Sequence, residues 1–203
     1  MIFSIGVRHR TVGPVEFVCP RCGLDRLGAE LIPGRWARVF GLPIIPLGEH
    51  NPVIVCDDCG HESDVGVLDV PTTEQLAGLL DRATVAALVT AIRSSDPART
   101  DEVMAGAERA LRDTGYEPGQ VDLDTEVADL TPPEARLHVR RLGRELTTHG
   151  KQGFLHRAAA VAMAGGVLDP AARDALVSMG CDLGMAAPHI NGVLAVASSH
   201  IDA

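Results

Sequence analysis

Large rings are scarce in this chain of 203 residues: one Trp, one Tyr and four Phe, 3% of the total. Small apolar residues take their place, which suits helices packed closely through small contact side chains. Lysine is almost missing too. Of the 18 basic residues 17 are Arg and only Lys151 is Lys, a bias that a GC-rich genome produces without special chemistry. Positive charge is in deficit, with a net charge of −9. Both parts share the sign: residues 1–70 carry 6 basic and 9 acidic side chains, residues 71–203 carry 12 and 18. That balance argues against a general nucleic-acid coat or a binder of anionic membranes, since both need a positive field. No apolar run approaches the roughly 20 residues that span a bilayer. The start, "MIFSIGVRHR", is apolar first and basic second, the reverse of a secretory leader. The expected location is the cytoplasm. Enzyme signatures are lacking as well: no Gly-x-Ser-x-Gly elbow, no phosphate loop, no His-Glu-x-x-His and no Gly-x-Gly-x-x-Gly. The expectation is therefore a protein that is not an enzyme.

What is present in strength is cysteine, twice over. "VCPRCG" covers residues 18–23 and "VCDDCG" covers 55–60. Two residues between cysteines let a tight turn aim both sulfurs at one point, and the following Gly23 and Gly60 let backbone amides bend back toward them. In a reducing compartment such pairs read as a metal site or a redox pair before they read as disulfides. A redox pair wants one Cys-x-x-Cys beside a βαβ pattern, which this region lacks. An iron–sulfur site is the other reading of four thiolates. The expectation is one structural zinc ion per chain held by Cys19, Cys22, Cys56 and Cys59, with no open coordination position. Strand-like "VEFV" and "PVIV" precede the two knuckles, as in a zinc ribbon. A module of 60 to 70 residues with few aromatics needs such a staple, and zinc can supply on the order of 10 kcal/mol. Between the knuckles, Gly34–Glu49 contains Pro43 and Pro46, which exclude a helix and fit a strand–turn–strand. His61 is read as a surface residue or a second contact to the thiolates. Cys181, without a partner, is read as a small half-buried apolar side chain.

"FSIGVRHR", "CPRCG", "RVFGLPIIPLGE", "VCDDCG" and "VLDVPT" together resemble the bacterial zinc-ribbon module found ahead of TerB-like domains. In that family an "FGxRxR"-like opening precedes the first knuckle and a "FIPLxPLGE"-like segment precedes the second. The resemblance covers about residues 1–73.

From Pro71 onward the pattern becomes helical. Thr72 or Thr73 can cap a helix to about Arg93 with Leu76, Leu79, Leu80, Val85, Leu88, Val89 and Ile92 as its apolar set. A second helix follows "SSDPA" and runs to about Thr114, with a loop at 115–120. Thr131 and Glu134 form a capping box for the next helix, and further helices are expected at about 151–165, 170–182 and 188–199. Shifted by 73 residues, 86–103 lies over 159–176. The shift matches Ala86 to Ala159, Ala87 to Ala160, Asp96 to Asp169, Pro97 to Pro170, Ala98 to Ala171 and Asp101 to Asp174. That repeat points to two similar helical pairs packed about a pseudo-twofold in one bundle of six or seven helices.

The second copy, "HRAAAVAMAGGVLDPAARDALVSMGCDLGM", resembles the TerB-like, tellurite-resistance-associated helical domain. That family's pattern is close to A-x-x-V-A-x-A-D-G-x-(I/V)-x-x-x-E-x-x-x-L, and its acidic residues imply a divalent-cation site. Here Gly165 stands for the expected Asp and Ala172 for the expected Glu. Asp169 and Asp174 remain as a weak second cation site, and Asp169 before Pro170 is equally an N-cap. The acidic stretch 122–129 lacks the glycine and terminal Glu of a calcium loop and reads as a charged loop or short helix. Arg136, Arg140 and Arg144, with Arg141 beside them, form a basic stripe for a partner, or a solvated face paired with acids such as Glu134 and Glu145.

The fold expected from these readings is mainly α with a small β zinc ribbon: a ribbon over 1–70 and a TerB-like bundle over 71–203. The expected role is a non-enzymatic binding or scaffold protein of a bacterial stress-response system, with protein partners. A nucleic-acid factor is the alternative, using Arg8, Arg10, Arg21, Arg35 and Arg38 as a local basic face. A divalent-cation-binding bundle is the third.

Overall fold

The computed structural model of the chain describes residues 3–39, 42–117 and 119–199. Contacts divide the chain into two compact units, Met1–Leu76 and Ala77–Ala203. The first is a five-stranded antiparallel sheet of β1 (Phe3–Cys19), β2 (Leu24–Val39), β3 (Leu42–Glu49), β4 (Val53–Cys56) and β5 (Glu62–Asp64). The stretches "VEFV" and "PVIV" end β1 and lead into β4. β1 extends much further back than the first stretch, pairing with β2 from Phe3↔Val39 to Cys19↔Leu24. The other edge of β2 is shared. Gly28–Leu31 pair with β4, and Gly34–Val39 pair with β3. Gly34–Glu49 is thus two antiparallel strands, with residues 40 and 41 of the turn outside the described residues.

Side chains alternate across a strand, and this alternation builds the small core: Phe17 and Cys19 on β1, Ile54 and Cys56 on β4 are all buried, with Val15, Val65 and Val67 packed against them. Close approach of β4 over β2 leaves no room at Gly28, where a Cβ would lie 2.4 Å from the Val55 carbonyl oxygen. A 3₁₀ turn, Val65–Asp69, leaves the sheet with the Asp64 carboxylate accepting the Gly66 N–H at 2.9 Å.

Seven α-helices follow among the described residues: α1 (Thr73–Ser94), α2 (Thr100–Asp113), α3 (Leu123–Asp129), α4 (Pro132–Glu145), α5 (Thr148–Ala162), α6 (Pro170–Asp182) and α7 (Ala187–Ser199). Their starts follow local side-chain chemistry. Thr72 Oγ1 accepts the Gln75 N–H at 3.4 Å and Gln75 Oε1 accepts the Thr72 N–H at 3.1 Å. Glu134 accepts from the Thr131 N–H at 3.0 Å and from its hydroxyl at 2.6 Å. Asp122 caps α3, the acidic stretch being a short helix. Thr147 caps α5 by accepting the Gly150 N–H at 3.2 Å, so that helix begins a turn earlier than its apolar pattern does.

The buried face of α1 departs from expectation. It comprises Ala83, Ala86, Ala87, Leu88, Val89, Ala91 and Ile92, whereas Leu76 and Leu80 are exposed. The leucines counted as core at its start precede the segment that packs in the bundle. By length and composition Val65–Ser94 is apolar enough to cross a membrane, and of its buried residues Ala86, Ala87, Leu88, Ala91 and Ile92 belong to the core of the second unit. That core is made of small and aliphatic side chains, among them Ala86, Ala107, Leu155, Ala159 and Leu194. The matched residues Ala86 and Ala159 are both fully buried. Ala87 is buried but its match Ala160 is exposed.

Candidate metal centre

The two knuckles are turns at the same end of the sheet. The first links β1 to β2 through residues 20–23, and the second links β4 to β5. In each the glycine closes the turn in the left-handed region, Gly23 at φ 70° and Gly60 at φ 64°, which an L side chain resists. The Gly23 N–H donates to the Cys19 carbonyl at 2.8 Å and the Gly60 N–H to the Cys56 carbonyl at 2.9 Å. Pairing of Gly28 with Cys56, together with the Asp57 N–H donating to the Leu27 carbonyl at 3.1 Å, holds the second turn against the strand that leaves the first.

This register brings all four sulfurs together. The Sγ atoms of Cys19, Cys22, Cys56 and Cys59 lie within 4.8 Å of one another, and Cys19 Sγ is 3.7 Å from Cys59 Sγ. Four sulfurs about 2.3 Å from a tetrahedral zinc ion would stand about 3.8 Å apart, a spacing that the Cys19–Cys59 pair matches and with which a cluster bounded at 4.8 Å is compatible. Cys19 and Cys56 are buried and the other two half-buried. Charge around the sulfurs is uneven. The Cys22 N–H is the largest influence on Cys19 and, with the Arg21 N–H and hydrogen bonds from Cys59 and Cys56, brings that thiol down to about 7 against the upward push of burial. Hydrogen bonding with Cys59, burial and the neighbouring Cys19 push Cys22 up to about 12, while Arg26 acts in the opposite direction. An ion held by all four cysteines would require them as thiolates, which would make its binding pH-dependent. Arg26, whose own pKa is raised chiefly by Cys22, is anchored beside the knuckles by an ion pair with Asp58, Nε to Oδ2 2.5 Å. His61 contributes its backbone: its carbonyl accepts the Cys56 N–H at 3.0 Å.

The site is a cluster of four cysteine sulfurs placed closely enough to hold a metal ion. No protein-family model, curated protein or solved structure matches the chain.

The other residues singled out in the sequence fall elsewhere. Asp169 caps α6, its Oδ1 accepting the Ala172 N–H at 2.8 Å, and Asp174 is exposed on that helix. Among the described residues the four cysteines are the one group of three or more His, Cys, Asp or Glu gathered closely enough to ligate an ion. Cys181 is exposed rather than half-buried, because the buried neighbours Gly180 and Asp182 turn the α6 contact face away from it.

The arginine stripe on α4 has a partner that its own helix does not supply. Arg136 donates to Asp182 through Nε at 2.7 Å and through Nη2 at 3.2 Å, and Arg140 Nη2 adds a bond of 2.7 Å. The Asp182 side chain is only 5% exposed, the arginines 57% and 51%. Burial alone would raise the Asp182 pKa, and the two guanidinium groups hold it below the usual carboxylate range. Arg141 and Arg144 stand exposed on the same helix. Asp182 and Arg136 also line a cleft of about 240 Å³ with Thr90, Arg93, Ser178 and Met179. Nothing in the sequence near Arg136 points to a carboxylate 46 positions away.

Proposed function

We propose that the chain is a non-enzymatic adaptor: a zinc-stapled ribbon joined to a TerB-like helical bundle, acting in the cytoplasm within a stress-response system of the tellurite-resistance kind. The observation that carries this reading is the cluster of four cysteine sulfurs within 4.8 Å. Four thiolates fill a tetrahedral ion and leave no position for a substrate or a water, so the metal's work is structural. The ribbon and TerB-like resemblances supply the system and the partner class, which is protein. The helical unit's formal excess of acidic residues fits a partner with a basic surface.

Two measurements test it. Elemental analysis should give one zinc per chain, and cobalt substitution should give the intense visible bands of a tetrahedral four-thiolate site. Capture of the tagged chain from its native cell, with nuclease present, should recover a defined protein set. Turnover of a small molecule, abolished by substitutions in the 240 Å³ cleft around Asp182, would overturn the adaptor reading.

A further inference from the structure

The part of the sheet remote from the knuckles carries a surface that the zinc site does not explain. It is formed by residues 3–11 of β1, 31–39 of β2 and β3. These segments hold four arginines and a single acidic residue, Glu49, in a chain whose net charge is −9. Residues directly opposite in an antiparallel pair share a face. The pairs Ser4↔Arg38, Gly6↔Trp36, Arg8↔Gly34 and Arg10↔Ile32 therefore place Arg8, Arg10, Arg38 and the only tryptophan on one face. Of the five arginines grouped from the sequence, Arg35 pairs with Val7 and takes the opposite face, and Arg21 sits in the first knuckle.

Two glycines make that face flat. A Cβ on Gly6 would lie 2.5 Å from the Arg38 Cζ, so the guanidinium lies across the backbone there. A Cβ on Gly34 would lie 3.2 Å from the Trp36 Nε1, so the indole lies over Gly34, which is paired with Arg8. Arg38 Nε is buried and has no hydrogen-bond partner among the described residues. Arg10 has a distant ion pair with Glu49, 3.9 Å between two side chains about two-thirds exposed, which screening makes weak.

We propose that this face binds single-stranded nucleic acid. A flat indole and a flat guanidinium offer stacking surfaces to unpaired bases, which a duplex keeps inside its own stack, and Arg8 and Arg10, two residues apart on one strand, meet successive phosphates. Charge complementarity is local: the arm is positive while the remainder of the chain is acidic, which suits a short flexible strand. The inference rests on reading the first unit as a zinc-built binding module.

The test is fluorescence anisotropy of a labelled 20-nucleotide oligo(dT) with the full zinc-loaded chain. Saturable binding is expected at 50 mM salt. With three phosphates neutralised, its log–log salt slope is about −2, so affinity falls about twenty-fold by 200 mM. Arg8→Glu with Arg10→Glu should abolish binding, and Trp36→Ala should weaken it about ten-fold or more, with Trp36→Phe retaining most of it. Arg141→Glu with Arg144→Glu, on α4, should change nothing. Zinc content checks that each variant keeps its fold. Absent binding, binding that ignores salt, or equal binding by the Arg8/Arg10 variant overturns the proposal. So does competition by polyglutamate as effective as by oligonucleotide with no loss in Trp36→Ala, which marks an acidic-peptide surface. Failure here with one zinc per chain and nuclease-resistant protein capture intact leaves the adaptor reading standing.

Discussion

Asp182 shows at the scale of one residue how a buried charge depends on who is left behind. Removing the carboxylate with Asp182→Asn releases two arginines that are already half in water, a loss of about 1–2 kcal/mol. Removing both arginines with Arg136→Ala and Arg140→Ala leaves a carboxylate 5% exposed with no cation, at a cost of about 3–5 kcal/mol. Urea unfolding of the zinc-loaded chain, followed by helical circular dichroism, should show the arginine double variant as the less stable of the two. Equal losses would mean that Asp182 reaches water once the arginines are gone. The pH dependence has a definite sign. The folded pKa of Asp182 lies below the ordinary carboxylate value near 3.9. Its contribution is present in full above that value and is lost as pH falls through the folded pKa. In acid titrations of stability, Asp182→Asn should therefore lack this part of the decline below about pH 4.

At the scale of the element, helix starts separate capping from metal binding. Asp169 satisfies the Ala172 N–H at the head of α6, a role that Asn fills as well as Asp while Ala fills it not at all. Asp169→Ala should cost about 1 kcal/mol in the same urea experiment and Asp169→Asn only a few tenths. A calcium or manganese ligand would behave differently: calorimetry would show cation binding in the parent that Asp169→Asn destroys. The same contrast explains what could be read in advance. Cys-x-x-Cys-Gly, Thr-x-x-Gln, Thr-x-x-Glu and Asp-Pro encode their geometry within five residues, so both knuckles and most helix starts were legible in the residues alone. The extent of β1 back to Phe3, the pairing of β2 with β4 and the Arg136–Asp182 bond depend on partners as far as 36, 28 and 46 positions away, and no local pattern marks them. The failure at the start of α1 is instructive. Leu76 and Leu80 carry helical spacing, yet burial begins only at Ala83, because period reports a face and not what covers it.

For the molecule as a whole, the two units differ in what holds them folded. Among the described residues the first has four buried core side chains, Phe17, Cys19, Ile54 and Cys56, and two of these belong to the candidate metal cluster. The core of the second, again among the described residues, runs through all seven helices with 24 buried residues. A metal contribution on the order of 10 kcal/mol is comparable to the whole net stability of an ordinary domain. Its withdrawal should therefore unfold the first unit while leaving the second intact. Hydrogen exchange with a strong chelator present should show protection lost through residues 3–64 and kept in the buried stretches of α2 and α4–α7. Cys56→Ser should give the same pattern without the chelator. Acidification should release the ion as protons compete for the thiolates, with the first unit losing protection in step. Loss of protection in both units together would mean that the bundle draws its stability from the ribbon, and loss in neither would mean that the four cysteines hold no staple. The first pattern is the one expected of a core so small that half of it consists of the cysteines proposed to hold zinc.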